Sequence, residues 1–276
     1  MRRVRIAALA CALLLPGAAV SSSLGDVVAG AKDADIVVLG EVHDNPAHHD
    51  NQAAIVQALQ PEALVFEMIP QSAEDEVNAL RESGAEPEAI AAALHWRDNG
   101  WPDFAFYAEI LAAAPKARIF GAEQSRADVK RAMIEGAAGV FGPDAATYGL
   151  DKPLAPAEQQ RREAEQAEAH CGKLPPEMLP GMVEAQRLRD AELADAALWA
   201  RTMTGDGQVV VIAGSGHADR KHGVPALIVA AAPDVKVFSL GQFESPPEAS
   251  GDFDAVLISP AVPRGDPCAG LTPAEP

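Results

Sequence analysis

A glutamate and a histidine, Glu41 and His43, lie two residues apart directly after an apolar run of the sequence. In an extended chain residues i and i+2 point to the same side, so this carboxylate and imidazole would face one site. Asn45 and Pro46 are a typical N-cap and first helical residue, so a helix begins here with its positive end toward the site. These side chains can transfer protons or bind metal ions. The alternative is a capped loop with surface charges.

Two more polar residues follow apolar runs. Glu67 ends the run Ala63–Met68, and His217 follows two glycines in Gly214-Ser215-Gly216-His217. Glu67 is a candidate base or metal ligand. The alternative is that it forms a structural ion pair with an arginine such as Arg189 or Arg220. The Ser-His neighbours suggest a hydrolase, but the sequence has no Gly-x-Ser-x-Gly elbow, no His-Glu-x-x-His pattern and no P-loop. The candidate catalytic residues of a hydrolase are Glu41, His43, Glu67 and His217, and the candidate ligands of a divalent metal are His43, His217 and Glu67.

Three other segments bear on ligand binding. Residues 96–107 hold 5 of the chain's 13 aromatic residues, among them Trp101 and Tyr107. Flat rings and a phenol can wall a planar ligand and bind iron, although a packing cluster is the alternative. Further along, Met178 and Met182 share a helical face that is either core or the apolar wall of a pocket. His48 and His49, in the first turn of the helix after Pro46, are either ligands beside His43 or exposed helix-start residues.

The strands and helices that would position these residues alternate along the chain. Near-continuous apolar runs predict strands buried on both faces, and strands alternating with helices indicate a mainly parallel sheet in an α/β protein. Residues after parallel strands lie at the sheet edge where ligands bind. The predicted strands are Ile36–Leu39, Leu64–Phe66, Arg118–Phe120, Val209–Ala213, Val235–Leu240 and Ala255–Ser259. The predicted helices are Pro46–Leu59, Ala73–Leu80, Pro87–Leu94, Asp103–Ala113, Arg126–Glu135, Ala157–His170, Glu177–Met203 and a short helix over Ala218–Pro225 that Gly223 ends.

Two parts of the chain depart from this alternation. Residues of about 125–205 are almost wholly helical and are predicted to form an insertion beside the sheet. The segment after Pro260 is rich in proline and glycine and is predicted to be an irregular strap.

The first 23 residues have the pattern of a secretory signal peptide. Arginines at positions 2, 3 and 5 precede an apolar stretch over residues 6–15, and small residues over 18–23 offer a cleavage site. Cys11 lies inside the apolar stretch without a leucine three positions before it, so a lipid anchor is not expected. We therefore expect a periplasmic or secreted protein with no transmembrane span, folded as one α/β domain over residues 24–276.

Charge and cysteine content narrow the function further. Beyond residue 23 the chain has 19 Lys and Arg against 40 Asp and Glu, a net charge of −21. This charge argues against nucleic acid and anionic membranes as partners. Cys171 and Cys268 remain after processing, and in an oxidising compartment two cysteines favour a disulfide. Catalytic use of Cys171, next to His170, is the alternative.

Taken together, these segments resemble the ChaN family of haem-binding uptake proteins, in the superfamily that includes Tiki, TraB and the erythromycin esterases. The resemblance covers nearly the whole chain after residue 23. It rests on residues 39–46 (LGEVHDNP), Phe66-Glu67-Met68, residues 100–107, His170-Cys171-Gly172, Gln186 with Arg189-Asp190, and Gly216-His217.

The resemblance implies haem as the ligand, a role in haem or iron uptake, and homodimers that sandwich haem. An outer-membrane haem receptor or transporter is the implied partner. It also implies tyrosine ligation of iron in some members, which leaves Tyr107 and His170 as the first candidates here and Tyr148 behind them. The implied contacts to the ring are Trp101, Met178 and Met182, and those to its propionates are Arg189 and Arg97. The hydrolase of the superfamily's esterase or metal-dependent protease type is the competing hypothesis.

Overall fold

A computed structural model describes residues 21–247, 252–266 and 268–269. Residues 1–20 of the predicted signal peptide lie outside the described residues. Ser23 caps the first helix through a reciprocal pair of hydrogen bonds with Asp26. Ser22 donates its backbone N–H to the carbonyl oxygen of Val256, which belongs to the sheet.

The core of the fold is a six-stranded, wholly parallel sheet in the order β3-β2-β4-β1-β5-β6. This arrangement confirms the predicted α/β class, and each predicted strand is present with ends shifted by at most three residues. The strands are β1 (Ile36–Glu41), β2 (Ala63–Phe66), β3 (Arg118–Gly121), β4 (Val209–Gly214), β5 (Val237–Phe243) and β6 (Ala255–Ile258).

Ten α-helices cover the sheet within the described residues. They are α1 (Leu24–Ala31), α2 (Pro46–Leu59), α3 (Glu74–Glu82), α4 (Pro87–Ala93), α5 (Phe104–Ala113), α6 (Arg126–Glu135), α7 (Ala137–Phe141), α8 (Pro156–Ala169), α9 (Leu179–Met203) and α10 (Val224–Ala231). None of these helices is both long enough and apolar enough to cross a bilayer.

The two faces of the sheet have separate cores because side chains alternate along each strand. On β1, Val37 and Leu39 pack with α1, α2 and α5. Ile36 and Val38 point to the opposite face, which α9 and α10 cover. Glu41 has the parity of Val37 and Leu39, so its side chain belongs to the face covered by α2 and α5.

The predicted helical insertion is confirmed as α6, α7, α8 and α9. Its longest member, α9, lies against the sheet and contacts both β2 and β4. It therefore reaches the central strands, rather than standing beside the sheet as a separate unit.

The structure differs from the sequence-based expectation after β4. The helix predicted over Ala218–Pro225 is wrong: α10 begins at Val224, and Gly223 precedes it instead of ending a helix. A Cβ atom at Gly223 would lie 2.3 Å from the carbonyl oxygen of His217. Only glycine therefore fits at this position, where the chain reverses closely on itself. The helix α1 was not predicted at all.

The described residues after Pro260, 261–266 and 268–269, form an irregular strap, as predicted, and a disulfide bond attaches it to the helical insertion. Cys171, in the connection between α8 and α9, is bonded to Cys268 with a Cα–Cα distance of 5.9 Å. The cysteine pairing favoured by composition is therefore present, and the thiol of Cys171 is not available as a nucleophile.

Candidate functional site

The candidate site lies at the carboxyl edge of the sheet, where β1 and β4 run side by side and Glu41 pairs in register with Gly214. Gly40 allows the turn after β4 to approach β1. A Cβ atom at Gly40 would lie 2.7 Å from the hydroxyl of Ser215 and 2.9 Å from the carbonyl of Leu240. This close packing brings the residues after β1 next to those after β4.

Glu41 is a buried carboxylate that accepts two hydrogen bonds on one oxygen. The phenol of Tyr107 donates to its Oε1 at 2.7 Å, and Nδ1 of His43 contacts the same atom at 2.8 Å. Its other oxygen lies 3.5 Å from Nδ1 of His49. Because a carboxylate accepts, His43 carries its proton on Nδ1, and in the neutral ring Nε2 has a free lone pair.

His43 is the open member of this group, with 35% of its side chain exposed. Its Nε2 lies 3.9 Å from an oxygen of Glu67. Burial would lower the pKa of His43, but the hydrogen bond to Glu41 and the negative charge of Glu67 outweigh it and raise the pKa. Trp101 meets the imidazole edge-on with ring centroids 5.3 Å apart.

A second carboxylate–histidine chain is almost wholly buried. Nε2 of His217 lies 3.3 Å from Glu67, and its Nδ1 lies 2.6 Å from Asp190 on α9. Glu67 also accepts the backbone N–H of Gly214 at 2.8 Å. Burial opposes the charge on both partners, yet the two carboxylates raise the pKa of His217 to about 10, and His217 lowers the pKa of Glu67.

These ionisation states bear on the chemistry of the cluster. At neutral pH His217 is protonated and Glu67 ionised, so the two form a buried ion pair and neither is a poised base. Glu67 contacts histidines and not an arginine, which makes the arginine alternative wrong: Arg220 pairs with Asp254. Arg189 forms no ion pair among the described residues, whereas Arg187, two positions before it, pairs with Glu184.

The structure thus brings Glu41, His43, Glu67 and His217 into one group. Within the described residues, however, no set of three or more His, Cys, Asp or Glu side chains has the arrangement needed to hold a metal ion. The side chains instead contact one another: Glu67 forms an ion pair with His217, and Glu41 accepts a hydrogen bond from His43.

The aromatic segment closes the same edge of the site. Tyr107 is buried, and Trp96 packs on it with centroids 4.8 Å apart. Burial and the charge of Glu41 raise the pKa of Tyr107 far above its ordinary value. Trp101 donates its indole N–H to Glu123 after β3 at 3.3 Å. The phenol of Tyr107 is therefore a neutral hydrogen-bond donor inside the packing cluster.

Tyr148 lies elsewhere. It belongs to the core on the opposite face of the sheet, packs against Phe141, and donates to Asp195 at 2.8 Å. Burial and this hydrogen bond raise its pKa. The two tyrosines of the chain are therefore separated by the sheet, and each phenol is held by a carboxylate.

His170 ends α8, and its Nδ1 lies 2.8 Å from the carbonyl oxygen of Gln166. After the connection, Met178 is 39% exposed and Met182 is half-buried. Gln186 and Asp190, on the same stripe of α9, contact His217. Met182 precedes Asp190 by eight residues, about 12 Å along the helix axis, so this stripe leads from the buried cluster toward the α8–α9 connection.

The sequence patterns did not predict a role in the cluster for Asp190 or Gln186. Asp190 and Gln186 share a helical face with Met182, and that i, i+4 spacing could have marked them. The exposed alternative for His48 and His49 is wrong, because both are buried. His49 donates to the carbonyl of His43, and His48 accepts the N–H of Val42, so both support the backbone of the site.

Comparison with solved structures finds proteins of similar fold. A structure described as cofacial haem binding to ChaN of Campylobacter jejuni has 23% sequence identity and a TM-score of 0.65, and the alignment covers 86% of this chain and 92% of that one. The type III effector HopBA1 has 13% identity and a TM-score of 0.49, with 86% and 93% coverage. A comparison with curated proteins finds no significant match.

A family model gives the stronger result, since it matches the sequence itself over residues 27–228. That range begins in α1, includes all four residues of the Glu41–His217 group and the whole helical insertion, and ends in α10. The chain therefore belongs to the family described as haem-binding uptake, ChaN, in the Tiki superfamily.

Proposed function

We propose that this chain is an exported haem-binding protein that takes part in haem or iron uptake in the cell envelope. The observation that carries the proposal, beside the family, is the state of His170. Its Nδ1 donates to a carbonyl oxygen, which only accepts, so the neutral ring has its lone pair on Nε2. A histidine oriented in this way by a backbone carbonyl is the usual form of a metal-ligating imidazole.

His170 is therefore our first candidate for the iron ligand. Tyr107 and Tyr148 follow it, since each phenol already donates to a carboxylate and the pKa of each is raised. Iron ligation needs the phenolate, which would have to leave its acceptor and lose its proton in a buried position.

The other candidate side chains have the right chemistry for the rest of a porphyrin. Met178, Met182 and Trp101 offer apolar surface, and Met178 and Trp101 are only part-buried. Arg189 forms no ion pair among the described residues, and Arg97 is exposed; either could meet a propionate. The donor types present therefore fit a haem group: an imidazole for the iron, apolar side chains for the ring and a guanidinium for a propionate.

Cofacial haem binding in the Campylobacter jejuni protein supports the proposal that two copies of this chain meet around haem. The part-exposed Met178 and the exposed Ile134 provide apolar surface for such a contact. The signal-like pattern of residues 1–23 supports export to the periplasm or beyond. A haem receptor or transporter of the outer membrane is the proposed partner for delivery.

Titration of tag-free protein with hemin tests this proposal. We expect a saturable Soret band that is lost in His170→Ala and retained in His95→Ala, an exposed histidine outside the site. Retention of the band in His170→Ala with loss in Tyr107→Phe would move the ligand to the phenol. The absence of any saturable change in the wild-type protein would contradict haem binding.

The hydrolase hypothesis is less well supported. General-base catalysis needs a group whose pKa lies near the working pH. Here His217 has a pKa of about 10 and Glu67 a lowered one, so both are charged at neutral pH, and His43 is the candidate base that this leaves in the cluster. Assay of ester and peptide substrates with and without added divalent metal, compared with Glu67→Gln, would reveal hydrolysis if the cluster supports it.

A further inference from the structure

The residue after His170 has an unusual backbone conformation. Cys171 has φ +59° and Gly172 has φ +63°, so two consecutive residues are left-handed. Glycine adopts this conformation freely, but a cysteine rarely does, because its Cβ crowds the backbone. Such a residue persists when surrounding contacts hold it in place. At Cys171 these contacts are two backbone hydrogen bonds that end helix α8, from Cys171 N–H to Glu168 and from Gly172 N–H to Ala167, and the covalent bond to Cys268.

The strap that carries Cys268 is attached to the same connection a second time. The ammonium group of Lys173 donates to the carbonyl oxygen of Cys268. Of the three residues that follow His170, Cys171 and Lys173 are thus attached to the strap. Both cysteines are only half-buried, so a small thiol reagent can reach the bond.

The other end of the strap is anchored beside His43. Arg264 forms a two-fold ion pair with Asp44, at 2.8 Å for both contacts, and also pairs with Glu244. Glu244 in turn accepts from Asn45 at 2.8 Å. Cys268 follows Arg264 by four positions in the sequence, a span of at most about 14 Å. The strap therefore joins the residue after His43 to the residue after His170.

We propose that the Cys171–Cys268 disulfide is a redox-sensitive positioning element for His170, so that haem is held firmly only while the bond is intact. This inference rests on the proposed function. Reduction by a dithiol adds two electrons and two protons to give two thiols, and the dithiol becomes a disulfide. Cys171 then keeps only the hydrogen bonds of the helix end, and the strap keeps the Lys173 hydrogen bond and part-exposed ion pairs, which stabilise little.

The first test follows the rate at which hemin leaves the protein for an excess of apomyoglobin. The double variant Cys171→Ser/Cys268→Ser is compared with the oxidised wild type, because serine cannot supply a thiolate ligand to iron. We expect faster dissociation by on the order of 10-fold or more, as for other groups that orient a metal ligand, and an altered ferric spectrum. Wild type reduced with dithiothreitol should show faster dissociation as well.

A second readout does not involve haem. Trypsin should cut after Arg264 faster in the reduced protein and in the double variant than in the oxidised wild type. Arg264→Ala, which frees the other anchor, should also speed hemin loss, whereas Arg131→Ala, which removes exposed ion pairs on α6, should not.

The outcomes separate the two proposals. If oxidised wild type binds no hemin, the proposed function fails. If hemin binds but leaves the oxidised protein and the double variant at the same rate with the same spectrum, the positioning role is overturned. Equal protection of Arg264 before and after reduction would also overturn it.

Discussion

The phenol of Tyr107 on α5 donates a 2.7 Å hydrogen bond to the carboxylate of Glu41 at the end of β1. This bond joins the aromatic segment to the Gly-Glu-Val-His motif. The two bonded residues lie 66 positions apart in the sequence. The carboxylate in turn fixes the tautomer of His43. Tyr107, which the sequence suggested as an iron ligand, is therefore placed to orient Glu41 and, through it, His43.

Tyr107→Phe tests this structural role. The ring remains, but the buried oxygen of Glu41 loses one donor, so we expect the protein to be destabilised by about 2 kcal/mol. Urea denaturation followed by circular dichroism measures the change. We also expect hemin binding to persist. Loss of the Soret band without loss of stability would instead favour direct ligation by the phenol.

The buried ion pair predicts how stability changes with pH. His217 has a folded pKa of about 10, above its ordinary value of 6.5, so its contribution is complete below pH 6.5 and is lost as the pH rises toward 10. Glu67 has a lowered pKa, so its contribution is present above its ordinary pKa and is lost in acid. Stability from this pair should be greatest between about pH 4.5 and 6.5.

The measurement is the free energy of unfolding between pH 6 and 10 for wild type and His217→Gln. Wild type should lose up to about 1.4 kcal/mol per pH unit from this group, and the variant should lack that slope. Asp190→Asn removes one of the two carboxylates that raise the pKa and should move the loss to lower pH. Parallel curves for wild type and His217→Gln would contradict the assignment.

Gly40→Ala should disrupt the approach of the turn after β4 to β1. The added methyl group would lie within 3 Å of Ser215 and of the carbonyl of Leu240, so we expect a loss of roughly 1–3 kcal/mol. Gly25→Ala is a matched control, because its methyl group would meet nothing closer than 3.8 Å and helix α1 would gain up to about 1 kcal/mol. Thermal unfolding of both variants measures the contrast.

The sequence predicted both the α/β fold and the position of the polar residues at the carboxyl edge of the sheet. The reason is physical. Strands buried on both faces must be almost wholly apolar, so a polar residue such as Glu41 or Glu67 marks where burial on both faces ends. The i, i+2 spacing of Glu41 and His43 then gave their shared direction. By contrast, α10 consists wholly of apolar residues, so it has no helical periodicity to detect, and Gly223, which precedes it, was interpreted as the end of a helix over Ala218–Pro225.

The partners of these residues could not be predicted in the same way. Which face of the sheet Tyr107 or Tyr148 occupies depends on how each helix returns to the sheet, and a sequence pattern does not fix that. Likewise Asp190 lies on α9 at ordinary helical spacing, and only the packing of α9 on β4 brings it to His217.

A last prediction concerns Glu192 on α9, which is near Asp195 and Asp128. Burial and those two negative charges raise the pKa of Glu192 to about 7. For an acid, a raised folded pKa means that ionisation costs stability, so the cost appears as the pH rises above 4.5 and is complete above 7. Glu192→Gln should therefore raise the melting temperature by about 2–4 °C at pH 8 and have no effect at pH 4.5. Glu109→Gln, at an exposed position on α5, should change neither value. Equal gains for Glu192→Gln at both pH values would show that the neighbouring charges are not the cause.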